Sequence, residues 1–298
     1  MRPPSTLTLV SPPAHAKLSR LRLPVRPGGL LLLGTLVWSG LLHPCTLNGE
    51  TVRVSHKEGL VHGFLVLQTL EGKTLADGDL TQVAHGNRVT NHLVFHFTDG
   101  SVHDETAVFS QGYTFRLLTD HLVQKGPAFP HPLELSFDAL SGRTTVRYVD
   151  DEGKQKLATE RLHLPSDVAN GMVFTLLKNI PPEAPQTKVS MVAATPKPRL
   201  VKLAITSEGE ETFRIGDSSR KATRYAVKVE IGGVTGLLAP LLGKQPEDTH
   251  VWILHDEAPA FVKSEGPLYL GGPIWRIELT KPAWPGRSEN VTGEEHPK

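Results

Sequence analysis

Residues 88–124, RVTNHLVFHFTDGSVHDETAVFSQGYTFRLLTDHLVQ, constrain the fold more than any other stretch. Val89, Leu93, Phe95 and Phe97 fall on one face at period two, and Arg88, Thr90, His92, His96 and Thr98 on the other, with Asn91 and Val94 outside the pattern. That alternation marks a strand with one packed and one wetter face. Asp99-Gly100 follows, and a Gly in that position supplies the positive φ that a tight hairpin needs. A second strand is predicted over residues 101–110, with Gln111-Gly112 breaking it. A third starts at Tyr113, where Tyr113, Phe115, Leu117 and Val123 alternate against Thr114, Arg116, Asp120 and Gln124. Three strands joined by short turns predict an antiparallel meander.

The rest of the chain extends this pattern. Short alternating runs predict strands near residues 51–56, 63–70, 80–84, 133–137, 144–148 and 154–164. Others follow in the second half, with Tyr225, Val227, Val229 and Ile231 alternating against Arg224, Ala226, Lys228 and Glu230. The last strands are expected at residues 250–254, 260–264 and 274–279. Residues 234–242, apolar but carrying Gly236 and Pro240, read as a loop. One helix stands out. Pro165-Ser166-Asp167 is start chemistry, Val168, Met172, Leu176 and Ile180 recur at four-residue spacing, and Pro181-Pro182 stops the run. The pattern predicts a mainly β, antiparallel half-barrel or barrel-like sheet with this helix, near residues 165–180, covering its concave face. The PPEAPQ stretch from Pro181 is either an internal boundary or a crossover inside one domain.

The amino-terminal segment reads as targeting rather than fold. Arg2, Lys17, Arg20, Arg22 and Arg26 precede the apolar run GLLLLGTLVWSGLL at residues 29–42, and no acid appears before Glu50. Such a run has the length of a signal-peptide core and is short for a membrane span. The expected organisation is a signal peptide or amino-terminal anchor over residues 1–45, one β domain over 46–280, and a flexible tail over 281–298. Export to the periplasm or envelope follows, with membrane association through the leader as the alternative. Cys45 sits where a lipidated cysteine would, but Pro44 before it fits that signal badly. Without the leader, 27 basic residues face 31 acidic ones. An acidic domain is a poor partner for phosphate backbones, so nucleic-acid binding is not expected. Cys45 is the sole cysteine in the sequence, which rules out an intrachain disulfide.

Two sets of residues carry candidate chemistry. If Asp99-Gly100 is a two-residue loop, His96 faces His103 across the hairpin, with Glu105 two residues along on the same face. His96, His103 and Glu105 then form a His/His/carboxylate set of metal-ligand type. A three-residue loop would place Phe95 opposite His103 instead. The second set is apolar. Trp252, Phe261, Tyr269 and Trp275 concentrate aromatic mass among prolines and glycines, and with Met172 and Leu176 of the helix they are the candidate lining of a ligand groove. No nucleophile elbow or phosphate loop is present, no cofactor is expected, and the chain is not read as an enzyme.

The stretches LVFHFTDGSVHDETAVFSQ, LTDHLVQKGPAFPHP and PAFVKSEGPLYLGGPIWRIEL resemble uncharacterised bacterial exported proteins of the domain-of-unknown-function kind. In outline such proteins are similar to the periplasmic half-barrels that carry lipids or lipoproteins. The resemblance implies a non-enzymatic binding or carrier protein for a hydrophobic molecule, a lipid or an envelope component. A metal-dependent envelope enzyme using the histidine-rich strands is one alternative, and a structural protein pairing through its sheet edges is another.

Overall fold

The computed structural model describes residues 49–150, 152–215, 218–230, 246–256 and 258–280. The leader, Cys45, the loop at residues 234–242 and the tail lie outside them. The described residues from Gly49 onward belong to a single compact unit.

Among the described residues, fourteen strands make one antiparallel sheet. In chain order they are β1 (Val61–Thr69), β2 (Thr74–His85), β3 (Arg88–Phe97), β4 (Val102–Gln111), β5 (Phe115–Lys125), β6 (Leu133–Asp138), β7 (Arg143–Val149) and β8 (Gln155–Arg161), then β9 (Thr187–Ala193), β10 (Arg199–Ile215), β11 (Ser218–Glu230), β12 (Thr249–Leu254), β13 (Ala260–Pro267) and β14 (Ile274–Leu279). In space the order is β8 to β1, then β14 back to β9. Every neighbour pair but one therefore joins strands that are consecutive in the chain. The exception is the seam between β1 and β14, where Leu67 faces Ile277. The two ends of the sheet are not paired to each other, so it is an open half-barrel, as the alternation predicts. Residues 51–56, expected as a strand, contribute a single bridge from Arg53 to Thr114.

The predicted helix is much shorter than its apolar stripe. α1 spans Val173–Leu177, and Met172 at its start makes no side-chain cap. Val168, Met172, Leu176 and Ile180 are all buried, so the four-residue spacing reports burial without continuous helix. The reason lies in the polar residues between them. Asp167 and Asn170 bond to β9 instead of capping, and Gly171 adopts φ +61, which a helix cannot contain. The stretch from Leu162 to Gln186 is thus a crossing segment that leaves β8 at one edge and reaches β9 at the other.

Two apolar clusters fill the concave side. The larger lies under the crossing segment and draws Phe109, Phe115 and Leu135 from the first half, and Ile205, Tyr225 and Ile253 from the second. The smaller straddles the seam through Leu65, Leu67, Phe95, Phe97, Trp275 and Ile277, with Phe129 packed on it from the β5–β6 loop. Each fully buried Phe contributes roughly 2–3 kcal/mol of transfer free energy.

Candidate functional site

A segment crossing a sheet face has no ladder to satisfy its backbone, so side chains must do so. Along the edge it runs beside β9: Val168 bridges Ser190, and the Asn170 amide both donates to and accepts from Val192 at 2.9 and 2.8 Å. Asp167 accepts from Ser190 Oγ at 2.9 Å and from Lys202 Nζ at 3.0 Å. Further along, Asn91 Nδ2 donates to the Gly171 carbonyl at 2.9 Å, and Asn179 Oδ1 accepts from the amides of Ser55 and His56. Tyr225 donates its hydroxyl to the Ile180 carbonyl at 2.6 Å, and its oxygen lies 2.9 Å from His255 Nε2. Replacing Tyr225 with Phe leaves that buried carbonyl short of a donor. The expected cost is about 1–2 kcal/mol in denaturant unfolding, with little change in secondary structure by circular dichroism.

Beneath Gly171 the sheet presents two carboxyls, Glu105 on β4 and Asp120 on β5. Asp120 is 1% exposed and neither of its oxygens has a hydrogen-bond partner. Glu105 is partly buried. A Cβ placed on Gly171 would lie 3.1 Å from Asp120 Oδ1, 3.3 Å from Glu105 Oε1 and 2.5 Å from the Ala107 Cβ. Burial pushes the Glu105 carboxyl up to about 7. Burial, and then the neighbouring Glu105, push Asp120 well above the usual carboxylate range. At neutral pH the pair therefore holds at least one proton.

Asp120 reaches this position through a bulge. Phe109 pairs with Leu117 but Val108 pairs with Thr119, leaving Leu118 as an extra residue. One extra residue reverses the alternation beyond it. Asp120, Leu122 and Gln124 then point inward, where unbroken period two from Tyr113 places Asp120 and Gln124 outward.

The predicted histidine set does not assemble. The β3–β4 loop has three residues, Thr98, Asp99 and Gly100, closed by bonds between Phe97 and Ser101 and from the Gly100 amide to Phe97. Phe95 consequently faces His103 and His96 faces Val102, so the two imidazoles lie on opposite faces of the sheet. His103 and Glu105 keep the same face. His103 is buried among Phe95 and Phe129, with its Nδ1 3.1 Å from Gln124 Nε2. Its Nε2 has no partner, and burial lowers its pKa to about 4. Among the described residues no three His, Cys, Asp or Glu side chains are grouped to hold a metal ion. Four outward histidines each find a carboxylate instead: His62 with Asp79, His92 with Asp104 at 3.0 Å, His121 with Glu134 and His250 with Glu208.

The apolar candidates divide three ways. Met172 and Leu176 belong to the larger cluster, and Trp275, with Tyr269 packed beside it, to the smaller. Trp252 is on the opposite face, because Val251 and Ile253 enter the core. It is buried there beneath Lys263, whose ammonium lies 4.0 Å from the ring, and donates to Glu211 at 2.8 Å. Phe261 alone of the set touches both clusters, and it lies 4.7 Å from the Phe174 ring of α1.

Phe261 borders a strip that the sequence does not single out. Leu80 and Leu93 face each other across β2 and β3 on the concave side, both partly exposed. Gly63 opposes Leu80 from β1, and a Cβ there would lie 3.4 Å from Leu279 of β14. Lacking a side chain, Gly63 leaves Leu80 and Leu279 open to each other. Leu279, Leu80, Leu93, Phe174 and Phe261 thus form an apolar strip straddling the seam, with Leu80 and Leu93 packed against the smaller cluster, Phe174 against the larger, Phe261 against both, and Leu279 exposed.

No family model matches the chain, and no curated protein does either. Among solved structures it is similar to the crystal structure of a beta-barrel-like protein of domain of unknown function DUF1849 from Brucella abortus. The match covers 77% of this chain and 98% of that one, with 9% identity and a TM-score of 0.42.

Proposed function

We propose that this is a non-enzymatic binding or carrier protein for a hydrophobic or amphipathic molecule, acting in the periplasm or envelope after export. One observation carries the reading: the strip of partly exposed Leu and Phe side chains on the concave face, flanked on both sides by packed core. Concave apolar surface beside a rigid scaffold is the usual setting of a small-molecule site. A ligand chain lying along Leu80 and Leu93 would run on across the seam past Leu279 toward Phe261 and the Phe174 ring beside it. The basic leader and its apolar run support export. The two carboxyls with raised pKa lie beneath Gly171, which supports a structural role for them rather than a chemical one.

Titration with a fluorescent fatty-acid analogue tests the reading. Binding is expected to be saturable, and Leu93→Gln is expected to weaken it about tenfold or more through lost apolar contact and a polar intrusion. Leu157→Gln, an exposed change on β8, is expected to leave binding unchanged. Probe binding indifferent to Leu93→Gln and Phe174→Ala would defeat the assignment.

A further inference from the structure

The two edges of the sheet are treated differently. Along β9 the outward groups are taken: the Lys188 carbonyl accepts from the Glu50 amide, Ser190 bonds through both its amide and its carbonyl, and Val192 does so to Asn170. Along β8, residues 155–160 bond to β7, and no described backbone group reaches their outer side. β8 is also exposed on both faces except at Ala158. An open edge is a template for another strand, and proteins that leave one normally blunt it.

The sequence of β8 is QKLATER. Laid antiparallel against itself so that all seven residues overlap, it places Ala158 on a two-fold axis. Gln155 then faces Arg161, Lys156 faces Glu160, and Leu157 faces Thr159. Each Lys meets a Glu of the other copy, twice by symmetry, and the smallest side chain lies where the copies are closest. Paired residues share parity, so whichever alternate amides the edge presents find partners. In register with β7, Lys156 and Glu160 lie beside Tyr148 and Thr144, on the face that packs the core. A two-fold perpendicular to the sheet keeps the concave sides of both copies together. A strand blunted solely to prevent pairing needs no such self-complementarity, since unmatched charge suffices.

We propose that a second copy of this chain pairs through β8, giving an isologous dimer whose sheet runs on through Ala158 into the partner. This does not depend on the ligand reading, because β8 is remote in the strand order from the strip on β2, β3 and β13.

Charge exchange tests it. By sedimentation equilibrium the full chain is expected to be dimeric. Glu160→Lys is expected to weaken the dimer about tenfold or more by replacing two attractive pairs with two repulsive ones, and Lys156→Glu, which also loses the ion pair of Lys156 with Asp150 of its own copy at 3.2 Å, at least as much. The double exchange is expected to restore it. Within one strand these residues are four apart, roughly 13 Å, so the rescue cannot arise inside a single copy. In a Cys45→Ser background, Ala158→Cys is expected to give a covalent dimer on mild oxidation, which keeps the proposal testable if a charge variant misfolds. A monomer at all concentrations overturns it, as does a dimer unaffected by either charge variant and uncrosslinked at position 158.

Discussion

Gly171→Ala is expected to lower stability by about 2–4 kcal/mol. Two costs combine. At φ +61 any L side chain strains the backbone, which accounts for about 1 kcal/mol. The new methyl would also lie 2.5 Å from the Ala107 Cβ, an atom fixed to its own backbone and unable to rotate aside. Overpacking of that kind costs about 1–3 kcal/mol more. Gly86 isolates the second cost, since it has the same φ of +61 and nothing within 4 Å of its Cβ position. Gly86→Ala should therefore lose only the backbone share. Urea unfolding of both variants measures the difference. Equal losses would mean that the crossing segment does not sit this close to β4.

The carboxyl pair is expected to make stability fall as pH rises. Glu105 has a folded pKa of about 7, above the 4.5 of the unfolded chain. Between these values the folded state keeps a proton that the unfolded state has lost, so the slope of unfolding free energy against pH is negative. Its contribution is full below pH 4.5 and gone above about 7. Glu105→Gln mimics the protonated group and should match the parent near pH 4.5, then exceed its stability by about 2–3 kcal/mol at pH 8. Asp120→Asn should act in the same direction, its pKa also being raised by burial and by Glu105. His103 has the opposite sign. Its folded pKa of about 4 lies below the usual 6.5, so its neutral form supports the fold above pH 6.5 and that support is lost as pH falls toward 4. Urea melts of Glu105→Gln and the parent from pH 4.5 to 8 provide the check. Parallel curves would sink the assignment of a buried proton at position 105.

The alternation of β3 was readable because only Asn91 and Val94 depart from it and no bulge shifts the register: Val89, Phe95 and Phe97 are buried, and His96 faces out. What escaped the sequence follows from single-residue events. Asp99-Gly100 fits a two- or a three-residue loop, and that one residue decides whether His103 faces His96 or Phe95. Leu118 between Leu117 and Thr119 looks like one more strand residue, yet as a bulge it turns Asp120 inward. Trp252 sits in the apolar run VWIL, where period two cannot say which residues enter the core. In the crossing segment the spacing of Val168, Met172, Leu176 and Ile180 was real, but the bonds from Asp167 and Asn170 to β9 involve residues about 20 positions away, beyond any local pattern. The apolar strip needed Gly63, Leu80 and Leu279 together, a tertiary coincidence across the seam.

That seam sets an order of events. Twelve of the thirteen strand contacts join strands consecutive in the chain, eleven of them across seven residues or fewer, so two meanders can form independently at small entropic cost. Joining β1 to β14 closes nearly the whole domain at once and has to await both. The crossing segment is the natural clasp for that last step, since Gly171 is held by Asn91 of the first meander and Ile180 by Tyr225 of the second. A molecule lodged between Leu80, Leu93 and Phe261 would grip the same join from the open side. Occupancy would then be felt as resistance of the two meanders to parting, long before it altered any single strand.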